Sequence, residues 1–281
     1  MLDQGPQFFD HTLSARDCGA PGNLKRQIAF CYHDVLEDGA ENHSGFHGPD
    51  AASYKLGMSL FEKHLQALSE VPGAERCLLT FDDGGSSGFS IIAPMLEAFG
   101  RRGCFFVPTD FINRPGFLTE DQIRELHARG HRIGSHSRSH SVHMSDGSYE
   151  AVYAEWQHSA ELLAGLLGEP VAWASVPSGY YSRKTFKAAA AAGIEVLFTL
   201  EPVAGNRIVE GCNVRGRYMV RRHTRPATVQ ALARGNSAVS SVQWLGWNVK
   251  KFAKAVLGRA YPAVRRVYFM ARHRSDSVRA E

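Results

Sequence analysis

The chain has 281 residues with 44% hydrophobic, 10% aromatic and 21% charged content, which is that of a folded globular protein and excludes global disorder. No run approaches the roughly 18 apolar residues of a spanning helix, and the five cysteines (Cys18, Cys31, Cys77, Cys104 and Cys212) form no C-x-x-C pair, so no disulfide framework is expected. The formal charge of +4 is uneven: from Leu245 to Glu281 nine Lys or Arg face only Asp276 and Glu281, leaving a slightly acidic body and a strongly basic tail.

Residues 27–35, QIAFCYHDV, are rich in strand formers and stop at a polar, glycine-containing stretch that reads as a loop. Leu60, Phe61, Leu65 and Leu68 recur at helical spacing over 59–68, and a second strand follows at 76–81. The alternation continues with a helix at 90–99, a strand at 103–108, a helix at 119–129 opened by Thr119 with Glu120 and Asp121 in its first turn, and a short strand at 131–135. A long helix at 150–167, a strand at 172–176, an alanine-rich helix at 182–192 stopped by Gly193 and a strand at 194–200 come next. A strand at 217–221 and a helix near 228–233 end the pattern. Strands alternating with helices predict a parallel sheet or a (β/α) barrel, whose ligands bind at the carboxyl ends of the strands. Asp82 and Asp83 stand at such an end, as do the residues after Ser135, Val176 and Val220.

In GSHSRSH, residues 134–140, His136 and His140 are four apart, and a helical turn after the strand puts both rings on one face, close enough to share a metal ion. With 13 histidines such a pair also arises by chance. The acidic pair in TFDDGG adds weight, because two imidazoles and one carboxylate leave open positions on a zinc-type ion for water and substrate. Neighbouring strand residues point in opposite directions, so Asp82 and Asp83 are expected to differ in role, one binding the ion and the other accepting a proton from the water it activates. A bare DDG also reads as turn carboxylates before Gly84 and Gly85.

Together, Thr80-Phe81-Asp82-Asp83-Gly84 and His136-Ser137-Arg138-Ser139-His140 resemble the first two motifs of the polysaccharide deacetylases, the NodB-like carbohydrate esterase family. The resemblance implies a distorted (β/α) barrel and metal-dependent hydrolysis of an N-acyl, usually N-acetyl, group on an amino sugar, with zinc as the expected ion. It implies Asp82 as general base and Asp83, His136 and His140 as metal ligands. The third motif of the family maps onto Ser175-Val176-Pro177-Ser178-Gly179-Tyr180, which makes Pro177, Gly179 and Tyr180 substrate-side candidates but puts Ser175 where an arginine is expected. Without that cation Asp82 should have a raised pKa unless Arg138 or Arg222 reaches in. The fifth motif maps onto the strand ending in His223, the candidate general acid, while His33 in CYHDV could line the same mouth or be structural. Glu201 occupies roughly the place of the fourth motif and could tune a neighbouring histidine or arginine.

The expected organisation is an N-terminal segment 1–26, a deacetylase-like domain 27–240 and a basic, aromatic-containing helical tail 241–281. The tail suits either an interfacial helix on anionic lipid or a helix docked on the barrel with a charged face outward, interrupted at Pro262. Nucleic-acid binding is not expected, for want of a recognition motif. MLDQGPQFFDHTLSARD has no basic start followed by an apolar stretch, so the expected location is cytoplasmic, with peripheral contact at the cytoplasmic membrane face. Expected partners are an amino-sugar polysaccharide or a glycolipid precursor. The rival readings are a deformylase or other amidase of a lipid-linked sugar, and, because of Ser175, a non-catalytic metal- or glycan-binding relative.

Overall fold

The computed structural model describes residues 27–37 and 43–257. The elements in chain order are β1 (Ala29–Tyr32), β2 (Val35–Leu36), α1 (Pro49–Ala52), β3 (Leu56–Gly57), α2 (Met58–Ser69), β4 (Leu78–Phe81), α3 (Ala93–Ala98), β5 (Cys104–Val107), α4 (Glu120–Ala128) and β6 (Arg132–Ser135). They continue with α5 (Tyr149–Leu167), β7 (Trp173–Ser175), α6 (Arg183–Ala191), β8 (Val196–Phe198), β9 (Asn206–Val209), β10 (Cys212–Arg215), β11 (Tyr218–Met219), α7 (Pro226–Ala233) and α8 (Ser237–Leu257). Segment 1–26, Pro262 and the remaining tail lie outside the described residues.

Nine strands form one curled sheet in the order β11-β1-β4-β5-β6-β7-β8-β10-β9, and every pairing is parallel except β9 with β10. This is a curled, half-barrel form of the parallel sheet that the alternating pattern predicts, in keeping with the distorted barrel that the resemblance implies. β1, β5, β7 and β8 are buried at every residue, as strands covered on both faces must be. One cluster, Ala29, Cys104, Phe106, Trp173, Val196 and Phe198, is made of strand residues alone. A larger cluster joins the other strand face to helices through Phe61, Leu65, Ile92, Leu96, Ile123 and Leu163.

Local chemistry explains most boundaries. Thr119 and Gln122 form a capping box at α4, as Ser182 and Thr185 do at α6, each satisfying two orphan donors. The helix expected at 90–99 begins as a π-type turn over Gly88–Ile92 before α3. The β9–β10 hairpin carries no expected signal, since its turn residues Glu210 (φ 50°) and Gly211 (φ 91°) adopt left-handed conformations usually taken by Asn-Gly or Asp-Gly.

Candidate active site

The sheet register brings the candidate residues to one level. Tyr32 pairs with Phe81, Val107 with Ser135, and Ser135 with Ala174, so His33, Asp82, His136 and Ser175 all leave or end neighbouring strands at their carboxyl ends. Asp82 continues the strand, its backbone N donating to Tyr32 O at 3.0 Å. Asp83 turns off it with φ 74°, a left-handed conformation costly for a non-glycine residue. The two carboxylates separate through this turn, which continues through Gly84 (φ 65°). A Cβ on the following Gly85 would fall 2.0 Å from Asp34 Oδ1. Asp34 itself is buried and held by Ser44 Oγ at 2.5 Å, Ser87 Oγ at 2.7 Å and Lys55 Nζ at 3.7 Å, a network that pins the loop after β1 against the loop after β4.

Asp83 meets three imidazoles. Its Oδ1 lies 3.4 Å from His136 Nε2 and 3.2 Å from His140 Nε2, and its Oδ2 lies 4.0 Å from His33 Nε2. A tetrahedral ion with bonds of about 2.1 Å has ligand atoms about 3.4 Å apart, so Asp83, His136 and His140 fit a shared zinc-type ion. His136 Nδ1 lies 2.9 Å from Ser175 O, a partner that fixes the ring and leaves Nε2 to the cluster. The histidines do not reach one another through a helical turn, as the spacing suggested. Residues 136–140 form a loop in which Ser137 (φ 62°) and His140 (φ 55°) are left-handed, bringing the rings to 5.0 Å between centroids. Glu155 of α5 holds this loop by accepting from the backbone N of Arg138 and Ser139 at 3.1 and 2.9 Å. Burial works against charge on Asp83, but His33, His136 and His140 outweigh it and hold the carboxyl well below the usual range. For His136, burial lowers the pKa, and Asp82 and then Asp83 more than offset this, leaving it raised.

Asp82 has a different set of partners. Arg217, fully buried in the link between β10 and β11, donates from Nη1 to Asp82 Oδ1 at 2.6 Å and from Nη2 to Oδ2 at 2.8 Å. The same guanidinium donates to Thr80 Oγ1 at 2.9 Å, Ser175 Oγ at 2.7 Å and Thr199 O at 3.3 Å, and it lies 5.7 Å from the centroids of both the Phe106 and Phe198 rings. Ser175 Oγ in turn donates to Asp82 Oδ2 at 3.0 Å. Burial alone would raise the Asp82 pKa, yet Arg217 and then His136 bring it down to about 2. The cation expected at Ser175 is therefore present, carried by the link between β10 and β11. Arg138 does not fill this role, being exposed and paired with Asp110 at 3.0 Å. The sequence signal for Arg217 was a charged residue in the otherwise strand-like RYMV, but nothing local named its partner.

Cys31 Sγ lies 3.6 Å from Asp82 Oδ2 and, with His33 and Asp82, forms a second group of potential ligands. Asp82 is already committed to Arg217, and burial pushes the Cys31 thiol pKa well up, which disfavours the thiolate that a metal needs.

The remaining candidates divide. Pro177 and Gly179 form a 3-10 turn after β7, with Ser178 at φ 56°, and the Tyr180 ring sits 5.0 Å from that of His143. Glu201 pairs with Arg207 at 2.8 Å and accepts from Tyr181 Oη at 3.2 Å. His223 is exposed in the turn after β11, and among the described residues no hydrogen bond or ion pair joins it to the carboxylates. His33 instead faces Asp83, its ring stacked on Tyr54 at 4.9 Å between centroids and its Nδ1 buried without a partner among the described residues.

Residues 70–197 match the polysaccharide deacetylase family model. YxkH of Bacillus subtilis (strain 168), a provisionally named polysaccharide deacetylase, is 29% identical over 147 residues, covering 52% of this chain and 52% of its own length. The chain thus spans about half the length of that curated relative. The fold is shared with the Streptococcus pyogenes deacetylase PplD in complex with acetate (18% identity, TM-score 0.61, 72% of this chain and 95% of that one). It is also shared with a de-N-acetylase from Aggregatibacter actinomycetemcomitans (20% identity, TM-score 0.58, 71% and 97%).

Proposed function

We propose that the chain, of which residues 70–197 match the polysaccharide deacetylase family model, hydrolyses an N-acyl group, foremost N-acetyl, on an amino-sugar glycan or glycan precursor, with zinc as the preferred ion. The observation that carries this reading is the division of labour between two adjacent carboxylates, one facing two histidines and the other held by a buried arginine. Asp83, His136 and His140 are the residues that would hold the ion. When bound there, a divalent cation supplies Lewis acidity to the amide carbonyl and lowers the pKa of water beside it.

The chain's own groups carry the protons. Asp82, with its Oδ2 3.9 Å from His136 Nε2, accepts a proton as water oxygen adds to the carbonyl carbon. Arg217 keeps that carboxylate ionised and in one orientation before the step. As the C–N bond breaks, His33 gives a proton to the amine nitrogen, a role assigned to it rather than to His223 because it faces the cluster. The acetate bound to PplD and the named activity of the Aggregatibacter protein favour N-acetyl among the acyl groups.

The test is release of acetate from N-acetylated glucosamine oligomers by metal-loaded protein, by chelator-treated protein and by Asp82→Asn. The expected result is release that chelation abolishes and that Asp82→Asn loses while retaining bound zinc. Absence of release by metal-loaded protein across a broad panel would overturn the reading, and formate release from N-formylated lipid-linked sugars would replace it with the amidase alternative. The non-catalytic alternative was motivated by Ser175, and the Arg217–Asp82 pair removes that motive.

A further inference from the structure

Among the described residues, helix α8 leaves an apolar face without a partner. Val239 near its start packs against the main core, but Val242, Leu245 and Val249, spaced to share one face, are 73%, 60% and 59% exposed, whereas Trp244, 47% exposed, leaves the helix about 100° or more around from each of them. From Ser237 through Val249 the helix carries no charged residue. Lys250, Lys251 and Lys254 then begin the basic tail. No Asp or Glu occurs between Glu210 and Asp276, a span that holds fourteen Lys and Arg.

We propose that this face is a peripheral docking surface for an anionic lipid bilayer, seating Val242, Leu245 and Val249 in the headgroup region, with the basic run that follows in the sequence favouring acidic headgroups. Two observations select this occupant. An apolar stripe followed in the sequence by a one-signed run of cations matches both chemistries of an acidic membrane surface, apolar beneath and anionic above. A second copy seated on the same face by two-fold symmetry would bring two such acid-free basic segments together, and like charges oppose that pairing. No helix among the described residues is long and apolar enough to cross a membrane, so the contact is lateral rather than spanning. The surface is independent of the proposed deacetylation, and a failure of either leaves the other standing.

The experiment is co-sedimentation of the full chain with vesicles of phosphatidylcholine alone or mixed with phosphatidylglycerol, at low and high salt, alongside Leu245→Gln/Val249→Gln, which leaves charge unchanged. Binding is expected to be about tenfold or more stronger with phosphatidylglycerol and to weaken in salt. The double variant is expected to lose about tenfold or more, from the apolar area it withdraws. Acetate release from a soluble substrate should be unchanged in the variant. No preference for the anionic vesicles, or equal binding by the variant, would overturn the proposal, the latter leaving charge alone as the cause. A dimer in sedimentation velocity that the variant abolishes would overturn it in favour of a second copy.

Discussion

Replacing Arg217 with serine tests the account of Asp82 most directly. The substitution removes both hydrogen bonds to the carboxylate, at 2.6 and 2.8 Å, and leaves Asp82 buried with Ser175 Oγ and Cys31 Sγ nearby. In the intact chain the carboxyl is held down from 3.8 to about 2, which corresponds to about 2.5 kcal/mol favouring the folded state near neutral pH. Removing one member of a buried ion pair costs about 3–5 kcal/mol, since the survivor is left uncompensated. The expected loss is therefore about 3 kcal/mol, or about 10 °C in Tm. The sign with pH follows from the depressed value: the parent has this contribution in full above 3.8 and loses it as pH falls toward 2, whereas in the variant burial raises the Asp82 pKa. The stability gap should thus be widest near neutrality and shrink on acidification. Turnover should fall about 10²–10³-fold, because the base is protonated and unanchored. Restoring an arginine from the neighbouring strand in Ser175→Arg/Arg217→Ser should recover much of both losses. Urea unfolding across pH, with acetate release in parallel, reads all of this. A variant as stable and active as the parent, or a gap that does not change with pH, would refute the reasoning.

Three further outcomes are expected. His33→Gln should lower kcat about 10²–10⁴-fold with zinc content retained, while His223→Gln stays near the parent; the reverse ranking in steady-state kinetics would return the acid role to His223. Zinc should raise Tm more at about pH 8 than at about pH 6, because protonated His136 stabilises the metal-free fold below 6.5, an effect lost as pH rises through its raised folded-state value, and zinc needs the neutral ring. Equal increments in differential scanning fluorimetry would contradict that. Gly85→Ala should cost about 3 kcal/mol by driving a methyl into Asp34 and Ser44, and an unchanged urea midpoint would show that the loop yields freely.

The residues legible in the sequence are those whose partners are set locally. Asp82, Asp83, His136 and His140 follow strands whose register is fixed by apolar runs, so two short motifs sufficed to place them. The conformations that unite them were not legible: left-handed Asp83, Ser137 and His140 are imposed by the loops' tertiary anchors, Glu155 and the Asp34 network among them. Arg217 was missed for a stronger reason. Its significance depends on the curl of the sheet, which carries the β10–β11 link across to β4 and β7, and no periodicity along the chain encodes that approach. His33 lay at a readable strand end, but choosing it over His223 required knowing which imidazole faces Asp83.

Arg217 also lies beyond residue 197, where the match to the family model stops. A fragment ending there would keep every residue proposed to hold the ion and the aspartate proposed as base, yet lack the cation that holds that carboxylate charged. Catalytic competence is thereby tied to the last strand of the sheet being in place. During synthesis or partial unfolding, a chain with β11 detached could still capture an ion but could not turn over, so loss of activity would precede loss of metal as the edge of the sheet opens.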